Sequence, residues 1–152
     1  MPIRLNRSEL AVPGSRPDFF EKAALGDSDI VFLDLEDSVA LEKKNQARAN
    51  VIEAIQDINW GKKTLSVRLN AMDTEFFEKD VLSLMATKSD RLDLLMLPKV
   101  SSAKDVFKLE KIVKQCEKKK RKKVGFELII ETAKGLINVN NIASASIRNE
   151  SL

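Results

Sequence analysis

In this sequence, polar and charged residues directly follow five apolar runs. The segments are VPGSRP near the start, LDLEDSV at 33–39, VRLN at 67–70, LPKV at 97–100 and LIIETAKG at 128–135. Carboxylates and cations placed in this way are typical of parallel barrel strands, which carry an active site at their carboxyl ends. The residues themselves suit a metal-dependent active site.

The residue types also narrow the choice of metal. The chain has no His and a single Cys, so neither an imidazole-ligated zinc nor a Ser-His-Asp triad can be built from it. Asp and Glu remain as the strong donors, and hard cations prefer oxygen ligands. We therefore expect magnesium or manganese, with water or substrate completing the coordination shell.

These segments belong to a strict alternation of predicted strands and helices. Strands are predicted at 8–14, 30–37, 63–70, 92–99 and 124–132, and helices at 18–26, 39–58, 74–88, from 101 or 102 onward and near 133. The strands are nearly continuously apolar, which is typical of a parallel sheet covered on both faces. The pattern predicts an α/β fold with five βα units.

The helix predicted at 39–58 shows how these elements should pack. Its apolar positions predict a stripe that faces the sheet, and its charged positions predict a solvent face. The candidate core residues are Leu41, Val51, Ile52, Ile55 and Ile58, and the candidate solvent residues are Lys43, Lys44, Gln46 and Arg48.

Two architectures accommodate five βα units. The length of 152 residues favours an open doubly wound sheet, since a complete eight-unit barrel usually takes roughly 250 residues. The motifs favour the barrel. A receiver-like sheet would place an acidic pair after the first strand, and a nucleotide-binding sheet would place a glycine-rich turn there, whereas this chain has VPGSRP.

Composition excludes several classes of protein. With 43% hydrophobic and 32% charged residues, we expect one globular domain or part of one, not a disordered chain. No apolar run is long enough for a membrane span, and the start lacks the features of a secretory signal, so we expect a cytoplasmic protein. The basic run at 118–123 is expected to be a solvated connector, with nucleic-acid binding as the alternative.

The same segments resemble a known family. RSELAVPGSRPDFFEKAA, IVFLDLEDSVALEKKNQARANV, VRLNAMDT, LLMLPKV and ELIIETAKGLIN are similar, in order and spacing, to the HpcH/HpaI aldolase and citrate lyase beta-subunit superfamily, in its citrate lyase beta subunit and malyl-CoA lyase branch. That family is a TIM barrel. The resemblance implies that residues 1–152 are the N-terminal portion of a single (β/α)8-type lyase domain, truncated after its first five βα units.

The resemblance also assigns site residues. It implies that Glu131 ligates the metal, with a second ligand, an Asp on the sixth strand, beyond the end of this chain. It implies that Arg68 holds the keto acid and stabilises negative charge, and that Glu36 and Asp37 lie beside the metal and hold its water or orient Arg68. Arg7, at the first strand, is expected to face the substrate.

The strand period supports part of this assignment independently. Residues 127, 129 and 131 share one face, so Glu131 should lie at the carboxyl end of its strand. Asp34 and Glu36 should point together, and a structural ion pair with Arg68 is the alternative to a catalytic role for that arginine. Lys99 could form a Schiff base if it were desolvated, but the family uses a metal instead.

The activity that the resemblance implies is Mg-dependent, reversible carbon–carbon cleavage of a 3-hydroxy acyl-CoA thioester of the citryl-CoA or malyl-CoA type. The products are acetyl-CoA and a keto acid. A full-length protein is expected to be a homo-oligomer or a subunit of a lyase complex. The alternatives are an inactive truncated remnant and a small open-sheet binding domain, with RNA binding through residues 118–123.

Overall fold

The sheet contains six parallel strands in a computed structural model that describes Arg4, residues 6–117 and residues 122–152. The strands are β1 (Glu9–Pro13), β2 (Ile30–Asp34), β3 (Thr64–Arg68), β4 (Leu94–Leu97), β5 (Gly125–Leu128) and β6 (Asn149–Ser151). Each strand pairs in parallel with the next one along the chain, so the order is β1-β2-β3-β4-β5-β6.

Helices connect the strands. They are α1 (Phe20–Leu25), α2 (Lys44–Asp57), α3 (Phe77–Met85), α4 (Ala103–Cys116), α5 (Ala133–Ile137) and α6 (Val139–Ala143), and short 3-10 turns at Pro17–Phe19 and Leu41–Lys43 precede the first two. Successive strands that lie in sequence order with helical crossovers are the arrangement of a (β/α) barrel, whereas a doubly wound sheet reverses its order at a switch point. The five predicted βα units are therefore confirmed.

The sixth strand is a difference from the sequence prediction, which placed it beyond the end of this chain. Asn149 pairs with Phe126 and Ser151 pairs with Glu127, across an irregularity in the register. The segment is short and polar, so it lacks the apolar run that marked the other strands. Pairing with β5 supplies its stability instead.

The core lies between the outer face of the sheet and the helices. Outward-pointing strand residues such as Leu33, Val67 and Leu95 are fully buried and belong to one apolar cluster with helix residues such as Val51 and Leu109. Alternate residues point to the inner face, where β1, β3 and β5 carry polar side chains. This division fixes which residues can reach the carboxyl edge of the sheet.

Helix α2 departs from prediction at its first turn. Leu41, predicted to be in the core, is 71% exposed, while Lys44 and Arg48, predicted to face solvent, are buried. The α-helix begins only at Lys44. Lys44 donates to carbonyl oxygens just after β2, and Arg48 donates to Asp80 on α3 and to Asn45. Further along the helix, the predicted core residues Val51 and Ile55 are buried as expected.

Helix α4 begins as predicted. Ser102 is its N-cap and forms a capping box with Asp105, whose carboxylate accepts a hydrogen bond from the Ser102 backbone N–H at 2.9 Å.

Among the described residues, no helix is both long and apolar enough to cross a membrane. Most of the basic run at 118–123 lies outside the described residues; within it, Lys122 donates to Asp93.

Candidate active site

The predicted site residues lie at the carboxyl edge of the sheet. Arg68 is the last residue of β3, Glu36 and Asp37 follow β2, and Glu131 follows β5. In parallel strands these ends meet at one edge, so the chain brings side chains from distant segments together. Arg68 and Glu36 come together directly, and Asp37 and Glu131 join them through Lys99.

Arg68 and Asp34 form a two-point ion pair. Arg68 Nε and Nη2 donate to Asp34 Oδ1 and Oδ2, each at 2.7 Å, in the geometry that a guanidinium and a carboxylate prefer. Asp34, only 1% exposed, also accepts from the backbone N–H groups of Glu36 at 2.8 Å and Ser38 at 3.0 Å. These contacts fix Arg68 at the carboxyl edge of the sheet.

These contacts set the charge states. Burial acts to raise the pKa of the Asp34 carboxyl, but the hydrogen bonds from Arg68, Ser38 and the Glu36 backbone together outweigh it and hold that pKa below its ordinary value. The hydrogen bond to Asp34 raises the pKa of Arg68 in turn. The site therefore contains a permanent, oriented cation.

Glu36 lies between two cations. Its Oε1 accepts from Lys99 Nζ at 2.6 Å, and its Oε2 lies 3.7 Å from Arg68 Nη1. That second oxygen is buried and has no hydrogen-bond partner among the described residues. As the strand period predicts, Asp34 and Glu36 both turn toward Arg68.

Lys99 links the carboxylates of two strand ends. Its backbone N–H donates to Glu131 Oε1 at 2.7 Å, and its Nζ also lies 3.5 Å from Asp37 Oδ1. The residue has a φ of 55°, a left-handed conformation that costs a residue with a side chain roughly 1–2 kcal/mol. The sequence suggested only a Schiff-base role for Lys99, and this linking position was not predicted.

Lys44 is a second cation that sequence reasoning missed. Its buried Nζ donates to the carbonyl oxygens of Leu35 at 2.7 Å and Glu36 at 2.5 Å. Burial lowers the pKa of Lys44, although the surrounding carboxylates act against that shift. The ammonium therefore fixes the backbone at Leu35 and Glu36, directly after β2. The sequence feature that could have indicated this role is that Lys44 directly follows the acidic segment LEDSVALEK, residues 35–43.

A buried network holds the loop that follows Arg68. Asp80 Oδ1 accepts from Arg48 Nε at 2.7 Å, and Asp80 Oδ2 accepts from the Asn70 backbone N–H at 3.0 Å and from Asn70 Nδ2 at 2.7 Å. Asp80 is fully buried. The network ties α2 and α3 to the backbone two residues beyond Arg68.

Arg7 is not brought to this edge. Its Nε and Nη2 donate to Asp29 at 2.8 and 2.7 Å, and Asp29 directly precedes β2, at the amino end of the sheet. A five-residue strand separates the two edges by roughly 15 Å. The hydrogen bonds from Arg7 lower the pKa of Asp29 to about 2. A substrate-binding role for Arg7 stays a prediction that this placement does not support.

The donors at the carboxyl edge are oxygens, as a hard cation requires. Glu131 is exposed, and its Oε2 accepts no hydrogen bond from the described part of the chain. Within the same described residues, however, no group of three or more Asp, Glu or Cys side chains is placed to hold a metal ion. The residues present thus fit a magnesium or manganese ion as a partial ligand set, with Glu131 as its most available member.

Comparison with known proteins agrees with this geometry. Residues 7–149 match the HpcH/HpaI aldolase/citrate lyase family. The chain belongs to this family.

Two curated proteins are similar to almost the whole chain. The L-malyl-CoA/beta-methylmalyl-CoA lyase of Cereibacter sphaeroides is 52% identical over 149 residues, which are 97% of this chain and 47% of that protein. The citrate lyase subunit beta of Leuconostoc mesenteroides subsp. cremoris is 36% identical over 148 residues, 95% of this chain and 48% of that one. The chain spans about half the length of the curated relatives that it matches.

A solved structure has the same fold over the length of this chain. Protein CitE from Mycobacterium tuberculosis, in complex with magnesium, acetoacetate and coenzyme A, has a TM-score of 0.68 and is 32% identical, over 93% of this chain and 47% of that one. The family assignment and the TIM-barrel class of the fold, both predicted from sequence, are confirmed.

Proposed function

We propose that this chain is the N-terminal portion of a single (β/α)8-type lyase domain. The domain cleaves the carbon–carbon bond of a 3-hydroxy acyl-CoA thioester, of the malyl-CoA or citryl-CoA type, into acetyl-CoA and a keto acid. The names of the relatives support this proposal, since one is a malyl-CoA lyase and the other a citrate lyase subunit. The cytoplasmic location and the homo-oligomer or lyase-complex assembly expected from sequence belong to the same proposal.

The observation that carries the proposal is the fixed arginine beside an available carboxylate. Arg68 directs Nε and Nη2 to Asp34. Its remaining nitrogen, Nη1, lies 3.7 Å from Glu36 Oε2 and donates no hydrogen bond to the described residues, so it can donate to a ligand at the carboxyl edge of the sheet. A guanidinium held in this way can bind the planar carboxylate of a keto acid without reorganising. Glu131 presents a carboxylate oxygen at the same edge.

Glu131 would hold a divalent cation, with its second protein ligand on a segment outside residues 1–152. A bound Mg²⁺ or Mn²⁺ ion supplies a Lewis acid that polarises the oxygen of the substrate. Magnesium in the CitE complex of M. tuberculosis supports this choice. Glu36 and Asp37 are paired with the ammonium of Lys99, whose backbone N–H binds Glu131, and this supports an orienting role for them.

In the reaction that we propose, a base takes the proton of the substrate hydroxyl. The carbon–carbon bond then breaks, the hydroxyl carbon becomes the carbonyl of the keto acid, and the electron pair passes to the thioester as an enolate. Protonation of that enolate gives acetyl-CoA. Arg68 binds the substrate carboxylate throughout and stabilises developing negative charge, while Asp34 keeps the guanidinium in place.

The test is a lyase assay on the polypeptide that carries this sequence in its source cell. Malyl-CoA and citryl-CoA are offered separately with Mg²⁺, and acetyl-CoA is measured together with the keto acid. We expect release with at least one thioester, loss of release with a chelator, and a loss of at least about 100-fold in Glu131→Gln. Glu78→Gln, on the exposed side of α3, is the matched control. No release from either thioester would refute the proposal.

A further inference from the structure

Lys99 is the residue with the most unusual backbone at this edge. Among the described residues other than glycine, it alone has a positive φ, at 55°. A side chain makes this conformation unfavourable, and such strain persists where the surrounding structure requires it. At Lys99 the requirement is visible, because the conformation aims the backbone N–H at Glu131, with a distance of 2.7 Å to Oε1.

The side chain of Lys99 points to a different pair of carboxylates. Its Nζ lies 2.6 Å from Glu36 Oε1 and 3.5 Å from Asp37 Oδ1. Glu36 is almost completely buried, with 5% of its side chain exposed, whereas the side chain of Lys99 is 47% exposed. One residue therefore contacts three carboxylates, one through its backbone and two through its ammonium.

These two kinds of contact have different consequences for a cation. A backbone N–H orients the Glu131 carboxylate but adds no charge, so the carboxylate stays free to bind a metal. The ammonium neutralises Glu36 and Asp37, and a divalent ion could recruit them only by displacing Lys99. Without that ammonium, Glu36 and Asp37 would lose their shared cation at the same edge as Glu131, and their side chains would be free to turn toward a bound ion.

We propose that Lys99 is the positioning residue that sorts these carboxylates, since its backbone orients Glu131 for the divalent cation and its ammonium keeps Glu36 and Asp37 out of the coordination shell. This inference rests on the proposed function in one respect, the presence of a metal site at this edge. It assigns to Lys99 a role that is neither covalent nor part of the ligand set.

The experiment separates the backbone from the ammonium. Lys99→Gly keeps the N–H and suits a φ of 55°, but removes the charge. Lys99→Arg keeps the charge. Lys134→Ala removes a cation from the exposed face of α5, two residues after Thr132, and serves as the matched control for a general change in charge. Binding of Mn²⁺ alone is measured by electron paramagnetic resonance on the polypeptide that carries this sequence.

We expect Lys99→Gly to bind Mn²⁺ at least fivefold more tightly than the parent protein, because Glu36 becomes free to ligate. Lys99→Arg and Lys134→Ala should stay within twofold of the parent. Adding Glu36→Gln and Asp37→Asn to Lys99→Gly should return the affinity to the parent value. An affinity that does not change in Lys99→Gly, including no binding by either protein, would overturn the inference, as would a gain that survives the two added substitutions.

The two proposals fail in different ways. If the Mn²⁺ affinities follow this pattern but no thioester releases acetyl-CoA, the proposed function is wrong and the sorting role of Lys99 stands. If acetyl-CoA is released in a Mg²⁺-dependent way while Lys99→Gly binds Mn²⁺ like the parent, the sorting role is wrong and the lyase stands. Thermal unfolding of each variant shows that the comparison is made between folded proteins.

Discussion

At the scale of single residues, the ion pair between Arg68 and Asp34 sets the charge at the carboxyl edge of the sheet and contributes to the stability of the fold. Arg68→Met removes both hydrogen bonds and leaves a buried carboxylate without its cation. We expect a loss of roughly 2–4 kcal/mol in the free energy of unfolding at pH 7, at the low end for a buried pair because Arg68 is partly exposed. Urea unfolding of parent and variant measures the difference.

The difference between these two proteins should depend on pH. Because Arg68 helps to hold the pKa of Asp34 below its ordinary value, the stabilising contribution is present above the unfolded pKa of about 4 and is lost as the pH falls through the lower folded pKa. The gap between parent and Arg68→Met should therefore shrink between pH 7 and pH 3. A gap of constant size would show that Arg68 acts through packing alone.

Lys44 offers a second prediction at this scale, with a control in the adjacent residue. Lys44→Met leaves the carbonyl oxygen of Leu35 without its donor, at a cost of about 1–3 kcal/mol. The Glu36 carbonyl loses one of two donors, because it also accepts from the Val39 backbone N–H at 3.0 Å. We expect a loss of about 2 kcal/mol. Lys43, which is exposed, should tolerate the same change within about 0.5 kcal/mol. Equal effects in chemical denaturation would contradict the buried role.

The sequence predicted some residues of the site and not others, for a physical reason. Alternation along β2 is enough to turn Asp34 and Glu36 to one face, so the pairing with Arg68 could be named in advance. Lys44, Arg48 and Lys99 could not be named, because a long cation has the same helical or loop signature whether its head meets water or a carbonyl. Only the neighbours brought by the fold distinguish the two.

At the scale of elements, the Arg48 and Asp80 pair joins α2 to α3 and to the loop after β3. Asp80→Asn keeps the shape of the side chain but leaves Arg48 buried without a counter-charge, a change that costs about 3–5 kcal/mol. Domains of this size are stable by only about 5–15 kcal/mol, so we expect a large drop in the midpoint of thermal unfolding.

Glu78→Gln, on the exposed side of the same helix, is the control for the Asp80 substitution. It should shift the free energy of unfolding by less than about 0.5 kcal/mol. If Asp80→Asn were as mild as this control, the loop after β3 would be held by apolar packing and not by the buried network.

Prediction of the elements succeeded where the apolar pattern was strong. The five strands and the capping box at Ser102 follow from apolar runs and from cap chemistry that are both local in sequence. The start of α2 and the strand β6 were misplaced. In the first case a 3-10 turn precedes the α-helix, and in the second case only pairing with β5 makes Asn149–Ser151 a strand.

At the scale of the whole molecule, the inner face of the sheet carries an unusual acidic pair. Glu9 is exposed as a residue, but desolvation of its carboxyl group and the charge of Glu127 raise its pKa to about 7. Burial likewise raises the pKa of Glu127. Glu127 also accepts from Ser66 Oγ at 3.2 Å and from Ser151 Oγ at 3.0 Å. The pair therefore links β1 and β5, with β3 and β6 as neighbours.

This pair predicts an unusual pH dependence. A carboxyl whose pKa is raised on folding binds its proton more tightly in the folded state, so stability should fall as the pH rises from about 4.5 to about 7. Glu9→Gln should flatten that slope and make the protein relatively more stable at neutral pH. Thermal unfolding at intervals across this range is the measurement, and an unchanged slope in Glu9→Gln would contradict the coupling.

The sequential order of the strands has a consequence for how the protein is made. Each strand after β1 pairs with the strand synthesised just before it. A new βα unit can therefore pair with an existing strand as soon as it leaves the ribosome. Loop closure is then limited to one unit at a time, and assembly can proceed with translation from the amino end. If translation pauses between two strands, the strands already made should therefore form a shorter parallel sheet of the same order. They should not remain unpaired until a strand from later in the sequence is synthesised.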